Sequence, residues 1–231
     1  RGEKTAHIIW GNDASVLAGD FLFAQSFQLM VETKSLEALS ILAGASCKIT
    51  EGEFQQIEIA NKPDTSRTEY LEVIGKKTAE LFGASGQVGA IIANGTIKQQ
   101  KAAYDYGFNL GLAYQIIDDI MDYSSETNIM GKNIGDDFKL GKTTLPIILA
   151  WENSDTREKE FWIRTLQKLE HKELDYENAI NILKKYNIIE KCRNIAKTFI
   201  DISVGSLDFF PETEFKKPLF DLSYQSLNRK K

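Results

Sequence analysis

Apolar residues recur every third or fourth position through long intervals free of proline, which is the spacing of helices rather than the alternation of strands. The four prolines stand at Pro63, Pro146, Pro211 and Pro218, so long stretches are open to helix. SVLAGDFLFAQSFQLM, Ser15 to Met30, is apolar nearly all round and predicts a central buried helix; the pattern continues from Leu36 to Ile49. NKPDTS, Asn61 to Ser66, is a turn cluster. Thr68 then precedes a long helical stretch that ends near Gly95, and Lys98 to Tyr123 forms the next helix. After Pro146 the chain becomes more charged, and amphipathic segments around 158–169, 176–186 and 189–208 predict an outer helical layer. No repeat, low-complexity tract or break in composition marks a second domain. The chain reads as one all-α domain.

Composition narrows the partners. With 231 residues, 42% of them hydrophobic and 26% charged, the chain has enough apolar surface for one core. A net charge of -5, with 28 Lys and Arg scattered along it, creates no field that would attract nucleic acid or acidic lipid. A small-molecule partner is expected. Cys47 and Cys192 lack metal-ligand spacing, and His7 and His171 complete no zinc set, so reduced thiols in a cytoplasmic setting are expected. No apolar run reads as long enough to span a bilayer, and no signal-peptide pattern opens the chain. RGEKTAH, the first seven residues, reads like the interior of a protein and predicts a preceding N-terminal portion.

The candidate chemistry sits in YQIIDDIMDYSSETNIMGKNIGDDFKLGKTTLP, Tyr114 to Pro146. At about 100° per residue, Gln115, Asp118, Asp119 and Asp122 fall within an arc of about 100° on one helix face. Like charges at this density are unfavourable unless a cation neutralises them, and hard oxygen ligands suit magnesium, which also recruits phosphate oxygens. The alternative is an exposed acidic helix end, although negative charge at a helix C-terminus opposes the helix dipole. Lys132 in MGKN and Lys142 in LGKTT follow on a glycine-rich loop. Lysine is a point charge suited to diphosphate; taken singly, each is equally well a solvated turn residue. Carboxylates and ammonium groups together form complementary parts of a diphosphate clamp. GKTT is not the phosphate-binding loop of nucleotide hydrolases. That loop needs four residues between its first glycine and Gly-Lys, whereas Gly135 and Gly141 enclose five, and no apolar strand precedes them.

Tyr114, Gln115, Asp118, Asp119 and Asp122, followed by GKNIGDDFKLGKTTLP, resemble the second aspartate-rich motif of the trans-prenyl diphosphate synthases. EGEFQQ, Glu51 to Gln56, and KKTAELF, Lys76 to Phe82, are similar to two further motifs of that family, and Gly11 to Met30 is similar to its long-chain bacterial members. The resemblance implies an all-α isoprenoid synthase fold, a helical bundle around a central cavity, assembled as a homodimer. It implies transfer of an allylic prenyl group onto isopentenyl diphosphate, with magnesium, to make a long-chain product for a quinone tail. By the same resemblance Asp118, Asp119 and Asp122 hold metal, Lys77, Lys132 and Lys142 bind the allylic diphosphate, and Thr78 and Gln115 face the allylic cation. Arg1-Gly2 matches the end of the family's first aspartate-rich motif, so Arg1 is expected to bind isopentenyl diphosphate, and the opposing aspartates are absent from these 231 residues. That absence predicts a chain inactive, or nearly so, by itself. A non-catalytic subunit of a heteromeric synthase fits the same absence, but the retained aspartates and lysines count against it. GKTTLP argues against a terpene cyclase. The small residues from Gly83 to Ala90 leave two readings open, room for a growing apolar tail or close packing of two helices.

Overall fold

Side-chain caps start the helices that carry the site. In the computed structural model, which describes residues 4–123 and 135–229, Ser66 and Thr96 each accept a backbone N–H three residues on, from Glu69 and Gln99, and each receives that residue's side chain in return. Both pairs are capping boxes, which satisfy otherwise orphaned helix N–H groups. They begin α4 (Arg67–Ile74) and α6 (Ile97–Met121). Upstream lie α1 (Ala6–Trp10), α2 (Asn12–Glu32) and α3 (Leu36–Ile59). A π turn, Gly75–Ala79, joins α4 to α5 (Glu80–Ile92) without a break. Downstream are the one-turn α7 (Asp136–Lys139), α8 (Leu145–Asn153), α9 (Thr156–Trp162), α10 (Asp175–Lys185), α11 (Ile188–Ser206) and α12 (Lys216–Leu227). No strand occurs among the described residues. The expected all-α class holds.

The core forms around α6. Its Ala113, Ile116, Ile117 and Ile120 are buried, as are Ile147, Ile148 and Leu149 of α8 and Ile188, Cys192, Ala196 and Ile200 of α11. Pro146 sits in the first turn of α8, where its missing N–H costs nothing. The segments after Pro146 are therefore not an outer layer. Their charged faces meet solvent, while their apolar stripes supply about half of the core. α5 and α6 pack with backbones nearly touching: a Cβ at Gly86 would lie 2.3 Å from the Ala103 carbonyl oxygen, and one at Gly107 would lie 2.2 Å from that of Phe82. Of the two readings of the small-residue run, close helix packing is the one these contacts satisfy.

α2 departs from expectation. No residue of it is buried within this chain, and Phe21, Leu22 and Phe23 are more than half exposed. A helix apolar all round needs contact on every side, and α3 supplies one side only. Among the described residues α2 is also the one helix long and apolar enough to cross a membrane by length and composition, contrary to the sequence reading that no run reaches that length. Asp20 interrupts the apolar run in the sequence, and the helix carries through it.

Candidate active site

Two walls face one cavity of 410 Å³. The first is the end of α6. Its Gln115, Asp118, Asp119 and Asp122 line the cavity together with Asp136, Asp137, Lys142, Thr143 and Thr144 from the segment beyond. The second is the α4 side, with Tyr70, Ile74 and Lys77, and Gln56 from α3. Arg1 and Lys132 lie outside the described residues.

Lys77 and Thr78 owe their placement to the π turn. The Glu80 N–H reaches back to the Gly75 carbonyl, and the extra residue turns this stretch relative to the flanking helix, a device common at functional sites. Gly52 lets α3 approach: a Cβ there would stand 2.6 Å from the Lys77 backbone nitrogen. Lys77 Nζ then donates to Gln56 and, at 2.9 and 3.0 Å, to the two carboxylate oxygens of Glu53. Thr78 is not in the cavity lining and acts at its edge: its hydroxyl donates to Gln115 Oε1 at 2.9 Å.

The three aspartates of α6 sit in different surroundings. Asp119 is buried, and both of its oxygens are taken, Oδ1 by Gln115 Nε2 at 2.8 Å and Oδ2 by the Tyr70 hydroxyl at 2.6 Å. Burial pushes its carboxyl up to about 7; the Tyr70 and Gln115 bonds pull the other way, and the charges of Asp137 and Asp118 add to the rise. Asp122 accepts the Asp137 N–H on Oδ2 at 3.1 Å. Asp118, half-buried, has no hydrogen-bond or ion-pair partner among the described residues.

Lys142 stands on a loop tied to the end of α3, where the Asn61 N–H donates to the Gly141 carbonyl at 3.0 Å. Gly141 has φ +66°, a conformation that glycine adopts without strain. Lys142 Nζ donates to Asp137 Oδ1 at 2.5 Å. Burial works against its ammonium, but that bond and the charges of Asp137, Asp119 and Asp122 hold it above the usual lysine range. The Thr143 hydroxyl is buried and has no hydrogen-bond partner among the described residues, and that of Thr144 lies beside the Tyr123 hydroxyl, so the cavity wall next to Lys142 presents polar groups little used by the protein.

The donor set fits a hard divalent cation: every carboxylate in the lining is oxygen-only, and no thiol or imidazole faces the cavity. Among the described residues no three acidic, His or Cys side chains converge on a single point. One or two aspartate oxygens with remaining ligands from water and a phosphate is a coordination that magnesium favours.

The sequence reading missed Glu53, Gln56, Tyr70, Asp136, Asp137, Thr143 and Thr144. Asp136, Asp137 and both threonines were in view within GDDFKLGKTT, where only the lysine drew notice. Glu53 and Gln56 lay within EGEFQQ. Tyr70 had one weak signal, two helical turns before Lys77.

A family profile described as Polyprenyl synthetase matches residues 1–183. The octaprenyl diphosphate synthase of Haemophilus influenzae is 40% identical over 99% of this chain and 69% of its own length. Among solved structures, a polyprenyl synthase from Caulobacter crescentus complexed with calcium and isoprenyl diphosphate superposes with TM-score 0.94 at 42% identity, covering 99% of this chain and 70% of that one. A decaprenyl diphosphate synthase from Rhodobacter capsulatus gives 0.93 at 40%, covering 98% and 70%.

Proposed function

The chain belongs to the polyprenyl synthetase family, and on that premise we propose that it is a trans-prenyltransferase, adding isopentenyl diphosphate to an allylic diphosphate to build a long-chain polyprenyl diphosphate. The observation that carries this reading is one cavity lined by Asp118 and Asp122 on one wall and Lys77 on the other, with Lys142 at its rim. Its relatives of about 40% identity are named as octaprenyl and decaprenyl synthases, which supports the long-chain class. A respiratory quinone tail as end use, a homodimeric assembly and a cytoplasmic site of action belong to the same proposal.

Each residue has a task that its chemistry allows. Asp118, which has no hydrogen-bond or ion-pair partner among the described residues, and Asp122 would hold magnesium, and Asp119 lies beside them. Bound there, magnesium supplies a Lewis acid that favours departure of the diphosphate. Lys77 and Lys142 neutralise the charge that grows on the leaving group, exchanging Glu53 and Asp137 for phosphate oxygens. Thr143 and Thr144 offer their hydroxyls to the same anion. Gln115 Oε1 and the Thr78 oxygen are dipole ends suited to a developing allylic cation. Retention of all these groups supports a catalytic role over a non-catalytic subunit.

Calorimetric binding of an allylic diphosphate with magnesium tests the site, and product analysis after incubation with isopentenyl diphosphate tests the reaction. Asp118→Asn and Lys142→Ala are each expected to weaken binding by about 10-fold or more, the worth of a charge-assisted contact. Diphosphate binding that is indifferent to magnesium and to both substitutions would exclude the reading.

A further inference from the structure

The Gln115 amide has two ends of opposite character, and what stands beside it decides which end faces where. Its Nε2 donates to Asp119 Oδ1 at 2.8 Å and its Oε1 accepts from the Thr78 hydroxyl at 2.9 Å. Both Asp119 oxygens act as acceptors here, Oδ2 from the Tyr70 hydroxyl and Oδ1 from Gln115, so Asp119 receives the NH2 end of the amide. Tyr70 completes the arrangement. Its hydroxyl is buried at the other carboxylate oxygen, 2.6 Å from Oδ2, and leaves Oδ1 for Gln115. Asp118 is adjacent in sequence and different in setting, half-buried on the cavity wall and without a hydrogen-bond partner among the described residues. On the helix wheel Asp118 and Asp119 occupy opposite edges of the acidic arc, about 100° apart.

We propose that Asp119 and Tyr70 are positioning residues that fix the polarity of the Gln115 amide, while Asp118 and Asp122 are the carboxylates that meet the cation. The inference rests on the prenyltransferase reading and divides labour within its aspartate cluster. Turning the amide over would set two oxygens against each other at Asp119 and direct N–H donors to the Thr78 side, where positive charge on an allylic group would be repelled. Asp119→Asn removes the constraint, because an asparagine can offer either its oxygen or its NH2 to Gln115. Tyr70→Phe leaves the carboxylate in place and removes only its brace.

Three variants of the full chain decide this: Asp118→Asn, Asp119→Asn and Tyr70→Phe. Manganese binding in the presence of inorganic pyrophosphate, followed by electron paramagnetic resonance, reads metal affinity without turnover. Asp119→Asn and Tyr70→Phe are expected within about 3-fold of the unaltered chain, and Asp118→Asn at least about 10-fold weaker. In turnover, Asp119→Asn is expected to lower kcat by about 10- to 100-fold with KM for the allylic diphosphate nearly unchanged, and Tyr70→Phe to shift kcat in the same direction by less. Loss of manganese from Asp119→Asn to the extent seen for Asp118→Asn overturns the assignment, as does a rise in KM at unchanged kcat. No manganese bound by the unaltered chain overturns the diphosphate reading itself.

Discussion

Gly52 decides how closely α3 approaches the lysine that it helps to hold. The Lys77 backbone nitrogen would lie 2.6 Å from a Cβ at that position, while a Cβ at Gly44, two turns earlier on the same helix, would meet nothing within 4 Å. The two glycines should therefore respond oppositely to alanine. Gly52→Ala forces α3 away from the π turn and is expected to cost about 1–3 kcal/mol, as overpacking does. It should also weaken diphosphate binding, because Glu53 and Gln56 move with the helix. Gly44→Ala gains only the helix propensity of alanine, about 1 kcal/mol in favour. Urea unfolding of both variants measures the contrast, and equal effects would mean that the close approach does not matter. Residue types were legible in the sequence at this scale and residue surroundings were not. Three aspartates on one helix face looked equivalent, yet Tyr70, from a separate helix, makes Asp119 unlike the other two.

A bidentate charged link joins the π turn Ile163–Gln167 to α10. Arg164 donates from both terminal nitrogens to the two oxygens of Asp175, each at 2.7 Å, and also to the Glu170 carbonyl at 2.6 Å. Asp175 accepts the Lys172 N–H as well, at 2.6 Å. The Arg164 bond, ahead of the others, holds the Asp175 carboxyl below its usual range. A carboxyl depressed in the folded state stabilises the fold above the unfolded pKa, near 4, and loses that contribution as pH falls through the folded value. Asp175→Asn is thus expected to cost about 1–2 kcal/mol at neutral pH, since it leaves the partly exposed Arg164 guanidinium without its charged partner. The penalty should shrink below about pH 4. Thermal melts across pH test this; a difference in Tm independent of pH would assign the loss to packing instead. Helix starts were readable to within two residues, near Thr68 and at Lys98, where the capped helices begin at Arg67 and Ile97. The π turns were not, because their register is selected by packing from other elements, such as α3 against Lys77. The burial of α11 was hidden by charged residues that share the helix with its apolar stripe.

At the scale of the whole molecule the unsolved surface is α2. Leu17 at 67%, Phe21 at 64% and Leu22 at 67% exposure are large apolar side chains of one helix left in water, the kind of cluster that marks an interaction surface. The sequence pattern called for burial of this helix, in the core or at a subunit interface, and within the chain the core does not take it. A bilayer and a second protein surface would both cover it. Asp20 lies near the middle of the helix, and Gln25, Ser26 and Gln28 follow; an aspartate at the centre of a membrane span costs about 2.5–3.5 kcal/mol on insertion scales. A protein surface can instead accommodate these groups by hydrogen bonds while burying the phenylalanines. The proposed homodimer uses that surface: two copies related by a two-fold axis would each cover the other's helix, because such an interface is self-complementary. Phe21→Asp places an unpaired charge at the centre of the face, and Phe21→Leu keeps it apolar. Light scattering after size exclusion, without detergent, is expected to give a dimer for the unaltered chain and for Phe21→Leu, and a monomer or aggregate for Phe21→Asp. A monomer for the unaltered chain, or partition of it into vesicles, would defeat the assignment and leave the membrane as the surface that α2 meets.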